Sequence, residues 1–333
     1  MTSSDPPRFT AQLEDAWFGA TPTPASTAGV AGTWRRLWQH NALQALQAAG
    51  EGLGQPLPRL LAAVQAHDLS KRLEPRLFAR LAALMEAMQR GDGYAVSDLV
   101  QQWLLDPPAS WSNTRLRSES IAAYPWEAPL LHEVRVTRVQ NVDPLTLFPL
   151  LEQDAAPFHA AATQALELIG LVDPAMHGEI EAHLSLIKLF VGPGVEGFSS
   201  PKAFGAIWLQ APQSGNELAW FLEHLVHEVS HLHLNALLVF DPLLRNPNEL
   251  HQAPIRPDPR PLFQVLHGTF VLARNCRVHS LLAERWPELR LEAALRSFQE
   301  QLSRGVEVLN DAMQPTPRGQ LLLNSLQQQA ASL

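Results

Sequence analysis

The chain has 333 residues, 46 % of them hydrophobic, with 33 acidic against 25 basic side chains and a formal net charge of −8. That is enough chain for one large domain or two ordinary ones around a sizeable core. The acidic balance, with no Lys/Arg stripe interleaved with aromatics, argues against a nucleic-acid partner. The single cysteine, Cys276, excludes an intrachain disulfide and suits a reducing compartment. The first residues lack a basic stretch followed by an apolar one, and no apolar run is long enough for a bilayer. A cytoplasmic protein with no membrane partner is therefore expected.

Residues 19–28 are rich in Pro, Thr, Ser and Ala and predict a loop or mobile lead-in. From residue 33 to about residue 102, Leu37, Leu43 and Leu46, then Leu60, Leu61 and Val64, then Leu77, Leu81, Leu84, Met85 and Met88 recur at helical spacing. Three glycines at residues 50–54 and two at 91–93 break these helices, and the region predicts a bundle without chemistry of its own. Residues 106–114 predict a loop. Residues 131–139 alternate with period two and predict a strand. Residues 145–171 and 175–184 return to helix. Residues 184–191 predict a second strand, 192–201 a turn or loop, and 204–210 a third strand. The whole predicts a mainly α chain with a small antiparallel β-sheet (α+β). A helical N-terminal region covers residues 1–125 and a metal-binding catalytic domain covers residues 126–333.

The centre of that second region is His227-Glu228-Val229-Ser230-His231, inside the apolar helical stretch 221–238. Histidines four apart lie one turn above each other on one helix face, so both imidazoles can reach one metal ion. Glu228, on the neighbouring part of that face, is either the general base on a metal-bound water or the group that orients a water or an imidazole. Proline at 242 ends the helix. A long proline-rich loop through Pro261 follows and predicts an irregular, functional segment. Helix resumes over residues 262–279, and an antiparallel return delivers His267 as third ligand. Beside it Gly268 lets a neighbouring backbone approach closely. His224, His233, His251 and His279 are the remaining candidates, more readily explained by packing or local hydrogen bonds. Three imidazoles leave coordination positions open and do not choose among Fe(II), Zn(II), Cu and Ni. The strand nearest the metal is also placed to receive an extended peptide by edge pairing.

The segments 227–237, 241–243, 256–261 and 266–274 together resemble the H-E-x-x-H family of peptide-modifying proteins that act in the biosynthesis of ribosomally made peptides. A weaker likeness reaches back through residues 199–209. Members of that family are Fe(II)- and 2-oxoglutarate-dependent peptide β-hydroxylases. The resemblance implies a zincin-like metal-binding helical core, iron held by His227, His231 and His267, O2 and 2-oxoglutarate as cosubstrates, a precursor peptide as partner, and residues 258–261 in the active site. The chain departs from many relatives at Val229-Ser230 and at His233, which bears on substrate identity.

2-Oxoglutarate has a second carboxylate that needs a guanidinium or equivalent donor. Arg260 is the first choice and Arg256 the second, with Arg274, two turns beyond His267, as a third; salt bridges that staple the loop through Asp258 are the competing role. Ser200 and Lys202 are candidate substrate contacts. The alternative function is a zinc-dependent metallopeptidase, which also wants an oxyanion donor; the tyrosines, Tyr94 and Tyr124, both lie far upstream. A non-enzymatic metal-stabilised peptide-binding module is the third reading.

Overall fold

The computed structural model describes residues 13–106, 112–113, 116–121, 126–137, 147–192, 194–212, 215–255 and 258–332. Helix α1 spans Pro24–Gly52 and so begins inside the stretch expected to be a loop. The Ser26 N–H donates to Thr23 Oγ1 at 3.0 Å and the Thr23 N–H to Ser26 Oγ at 3.1 Å. This reciprocal capping box, with proline in the first turn where its missing N–H costs nothing, makes a Pro/Ser/Thr-rich run a helix start. The glycines do end helices as expected: α1 stops at Gly52, and Gly54 adopts φ 63°. Helices α2 (Pro58–Gln65), α3 (Pro75–Gln89) and α4 (Gly93–Leu105) complete the N-terminal bundle, and strands β1 (Arg72–Leu73) and β2 (Ser112–Asn113) pair antiparallel.

Strand β3 (Arg117–Ser120) is followed by helix α5 (Ala128–Thr137), where a strand was expected over 131–139. Leu130 and Leu131 are both buried while His132 and Glu133 are exposed. Adjacent residues sharing a face is a helical pattern that a strand cannot produce, and packing of the two leucines overrides the weak period-two signal. Residues 138 and 139 lie outside the described residues. Then come β4 (Phe148–Pro149), α6 (Glu152–Val172), α7 (Pro174–His183), β5 (Leu186–Val191), β6 (Gly197–Ser199), a short 3-10 helix at Pro201–Ala203, and β7 (Ala206–Gln210).

The sheet is mixed, which corrects the expected antiparallel one. Its order is β3-β5-β7-β6, with β3, β5 and β7 parallel, β6 antiparallel to β7, and β4 antiparallel to β5. Parallel pairing needs crossovers; α5 to α7 supply one, and the segment holding β6 and the 3-10 helix supplies the other. Helical cover on both faces explains why β5 and β7 are nearly continuous apolar runs. Ile187, Leu189, Ile207 and Leu209 face the main core, and Phe190, Ala206 and Trp208 face a second, smaller one. The exception on that second face is Lys188, fully buried and held by Glu119 at 2.8 Å and Glu127 at 3.2 Å.

Helix α8 (Glu217–Phe240) runs without proline or glycine and carries the motif. It ends at Asp241, whose Oδ1 accepts hydrogen bonds from the Leu243 N–H at 2.8 Å and Thr316 Oγ1 at 2.6 Å. The expected irregular loop contains a hairpin, β8 (Leu250–Gln252) with β9 (Pro259–Pro261). Helices α9 (Leu262–Arg285), α10 (Glu292–Ala312) and α11 (Pro317–Ala331) close the chain. The close approach expected at Gly268 occurs elsewhere. A Cβ on Gly268 would come no nearer than 3.6 Å to Ile255 Cδ1, whereas one on Gly305 of α10 would lie 2.3 Å from Thr269 Oγ1 of α9.

One core cluster runs from Trp17 to Leu326, and β3, from the expected N-terminal region, pairs with β5. No helix among the described residues is long and apolar enough to cross a membrane.

Candidate functional site

His227 and His231 stand one turn apart on α8, with Nε2 atoms 3.3 Å apart. On the other side of the His231 ring, its Nδ1 lies 3.3 Å from Nδ1 of His267, which enters from the second turn of α9. The three histidines singled out by spacing are thus brought together, although 36 residues separate the second from the third. Burial pushes the His227 imidazole down to about 3 and that of His267 down to about 4. Both rings are neutral at pH 7 and offer the lone pairs that a metal needs.

Donor type, charge and pairwise spacing fit a metal ion. Two nitrogens each bound at about 2.0–2.1 Å to a tetrahedral ion stand roughly 3.3 Å apart, which is the His227–His231 separation. The third member is not yet trained on the same point. His231 turns a different nitrogen to each neighbour, so shared coordination requires the His267 ring to swing toward the His231 Nε2 side. In keeping with this, the described residues include no group of three or more His, Cys, Asp or Glu side chains already set to hold an ion. As they stand, the imidazole nitrogens face one another at hydrogen-bonding distance, with donor and acceptor set by each ring's tautomer.

Glu228 is 3 % exposed and points toward the edge strand of the sheet. A Cβ on Gly197 of β6 would lie 2.9 Å from Glu228 Oε1 and 3.0 Å from Leu209 Cδ2. The strand approaches the motif this closely because residue 197 has no side chain. Spacing arguments missed Gly197; the only sign of it was its place among the glycines of 192–197. They also missed the stack that flanks His227, in which the His224 ring lies 3.7 Å from Trp220 and 6.2 Å from His227. His224 is thus a packing neighbour, its Nδ1 directed at the Trp220 carbonyl at 2.9 Å. One turn before His227, Glu223 is pushed up to about 7 by burial, reinforced by Glu196. On the other flank, Phe263 meets His267 edge-on at 6.2 Å, with Ile255 and Leu250 exposed nearby on the hairpin segment.

The arginines fare differently from the histidines. Arg274 is 1 % exposed, ion-paired through both Nη atoms with Glu179, and its Nε–H donates to the Ala20 carbonyl at 3.0 Å. Its guanidinium fork is thus engaged within the core rather than beside the histidines. Arg260 lies on β9, partly exposed, with Nη2 2.7 Å from Asp258 Oδ2, the stapling contact weighed against its cosubstrate role. Arg256 lies outside the described residues, as does Tyr124. Tyr94 is exposed on α4 in the N-terminal bundle.

Ser200 and Lys202 serve local structure. The Lys202 N–H donates to Ser200 Oγ at 3.2 Å, capping the 3-10 helix. Lys202 Nζ reaches Glu86 of α3 at 2.9 Å and Glu133 of α5 at 3.0 Å, which raises its pKa. His251 pairs loosely with Glu249 at 3.6 Å, and His279, lowered to about 4 by burial, has Nδ1 3.0 Å from the Asn275 carbonyl. Cys276 is buried, as a small apolar residue would be. No protein-family model matches this chain, and no curated protein matches it significantly.

Proposed function

We propose that the chain is a metal-dependent enzyme acting on a peptide, and specifically an Fe(II)/2-oxoglutarate-dependent oxygenase that hydroxylates a β-carbon in a ribosomally made precursor peptide. The observation that carries the metal-dependent reading is the set of histidines 227, 231 and 267, at successive nitrogen separations of 3.3 Å, with Glu228 buried beside them. The likeness of residues 227–274 to the peptide β-hydroxylases selects iron and 2-oxoglutarate from the metals and reactions that three imidazoles allow. When bound, iron would supply the oxidising chemistry by which O2 and 2-oxoglutarate convert a C–H to a C–OH, with succinate and CO2 as the other products.

The chain's own part is to hold, orient and shield. His227, His231 and His267 are the ligands. Glu228 orients a water or a ligand imidazole from its place against β6. The outer edge of β6, the last strand of the described sheet, takes the peptide as an added strand, which fixes the depth at which each side chain enters. Phe263, Ile255 and Leu250 form an apolar lip beside His267 that limits water access. Arg260 remains the first candidate for the distal carboxylate of 2-oxoglutarate, by exchanging Asp258 for the cosubstrate, and Arg256 the second.

The deciding experiment supplies anaerobically purified protein with Fe(II), 2-oxoglutarate and the peptide encoded beside its gene, and then admits air. Succinate formation with a one-oxygen mass gain on the peptide is the expected result. Peptide cleavage with zinc and no cosubstrate would replace this reading with a metallopeptidase. One observation favours that second reading: Glu228 lies against the edge strand, where a general base for a strand-bound peptide would stand.

A further inference from the structure

We infer that Glu179, Arg274, His233 and Phe270 form a buried clamp that positions His267 against His231, an inference that rests on the metal-centre reading above. Glu179 belongs to α7, His233 to α8 two residues after His231, and Phe270 and Arg274 to α9, three and seven residues after His267. One carboxylate therefore joins both ligand-bearing helices. Glu179 pairs with Arg274, including an Nη2–Oε2 contact of 3.2 Å, and its Oε2 also lies 3.2 Å from His233 Nδ1. The link is made a second time through stacking. The Phe270 ring has the Arg274 guanidinium 4.2 Å from its centroid and the His233 ring 6.3 Å away, only 7° from parallel. His183 extends the clamp within α7, with Nε2 3.0 Å from His233 Nδ1. Every one of these side chains is at most 3 % exposed.

Apolar residues of similar volume would hold three helices together at least as well as a buried ion pair. What the ion pair adds is direction, because a forked guanidinium on a carboxylate permits one register where apolar surfaces tolerate several. A metal site needs that restriction. Donor atoms must sit within about 0.2 Å of their ideal distances, whereas sliding α9 by a single residue displaces His267 by about 1.5 Å. Glu179 and Arg274 are positioning residues in this sense; they act on the metal through the placement of α9.

The test is a Co(II) titration of the full chain, followed by its visible d–d bands and by thermal unfolding. Arg274→Met and Glu179→Gln are expected to weaken Co(II) binding by about tenfold or more and to shift the bands toward those of His267→Ala. Arg274→Lys, which keeps the charge, recovers part of the affinity and guards against a Met variant that does not fold. Cys276→Ala, equally buried on α9 but outside the clamp, lowers the unfolding midpoint while leaving affinity and bands unchanged. Folded Arg274→Lys and Glu179→Gln proteins with wild-type affinity and spectrum would overturn the clamp and leave the metal centre standing. A wild-type chain whose Co(II) binding is absent, or indifferent to His227→Ala and His231→Ala, would overturn both.

Discussion

Helix α8 carries two histidine clusters with opposite characters, one partly exposed and one buried. His227 and His231 meet each other and His267 through ring nitrogens, whereas His233, two residues further on, meets a carboxylate that Arg274 already matches. In the second cluster the Glu179 carboxylate is matched by the Arg274 guanidinium, and the pair ties α7, α8 and α9 together. The first brings three imidazoles together at successive nitrogen separations of 3.3 Å, the set on which the metal-centre proposal rests. Histidine content alone does not separate the two; the partner on the facing helix does.

The largest expected effect breaks the first cluster. Replacing His231 with Ala removes the ring that faces both other imidazoles, and metal affinity should fall by about a hundredfold or more while the unfolding midpoint stays near wild type. Metal analysis after dialysis checks this. The mirror experiment breaks the second cluster. Glu179→Ala leaves the Arg274 guanidinium buried without its counter-ion and should cost about 3–5 kcal/mol in chemical denaturation, with much of the loss recovered in a Glu179→Met/Arg274→Met double variant. Recovery of stability without recovery of metal affinity would sharpen the division between holding helices and placing a ligand.

A smaller effect is expected at Gly197. An alanine there must displace the Glu228 carboxylate or the strand, so turnover should drop about tenfold or more with metal content unchanged. Unchanged turnover would remove Glu228 and β6 from the chemistry.

The mildest test is pH. In the metal-free protein, burial lowers His183 to about 3 and His279 to about 4 from an ordinary 6.5. The unfolded chain therefore takes up protons first as pH falls. The stability these neutral rings contribute is complete above about 6.5 and is lost progressively toward pH 3–4. Glu223 acts with the opposite sign: its raised pKa, about 7 against an ordinary 4.5, makes its contribution fade as pH rises through that interval. Urea midpoints across pH 4–8 should therefore fall on the acid side, and His279→Gln should flatten that limb.

Much of the candidate site was legible beforehand. An apolar period uninterrupted by proline or glycine from Glu217 to Phe240 specifies α8, and the four-residue interval puts His227 and His231 on one face whatever surrounds them. The apolar runs of β5 and β7 were equally plain. Strand direction was not, because parallel pairing depends on which crossovers the helices provide. Nor was α5, where burial of Leu130 and Leu131 outweighed a short alternation.

What the amino-acid order determined by itself are the local periodicities: the motif helix, the face shared by its two histidines, the proline that stops it, and the capping box that starts α1. Partnership was decided only by the tertiary structure. Helical spacing places Arg274 two turns from His267, and nothing local reveals that it meets Glu179, 95 residues away, or that Gly197 makes room for Glu228. Hydrogen-bond geometry within a turn is set by neighbours in the chain, whereas charge pairing and close packing are set by whichever distant segment the fold brings alongside.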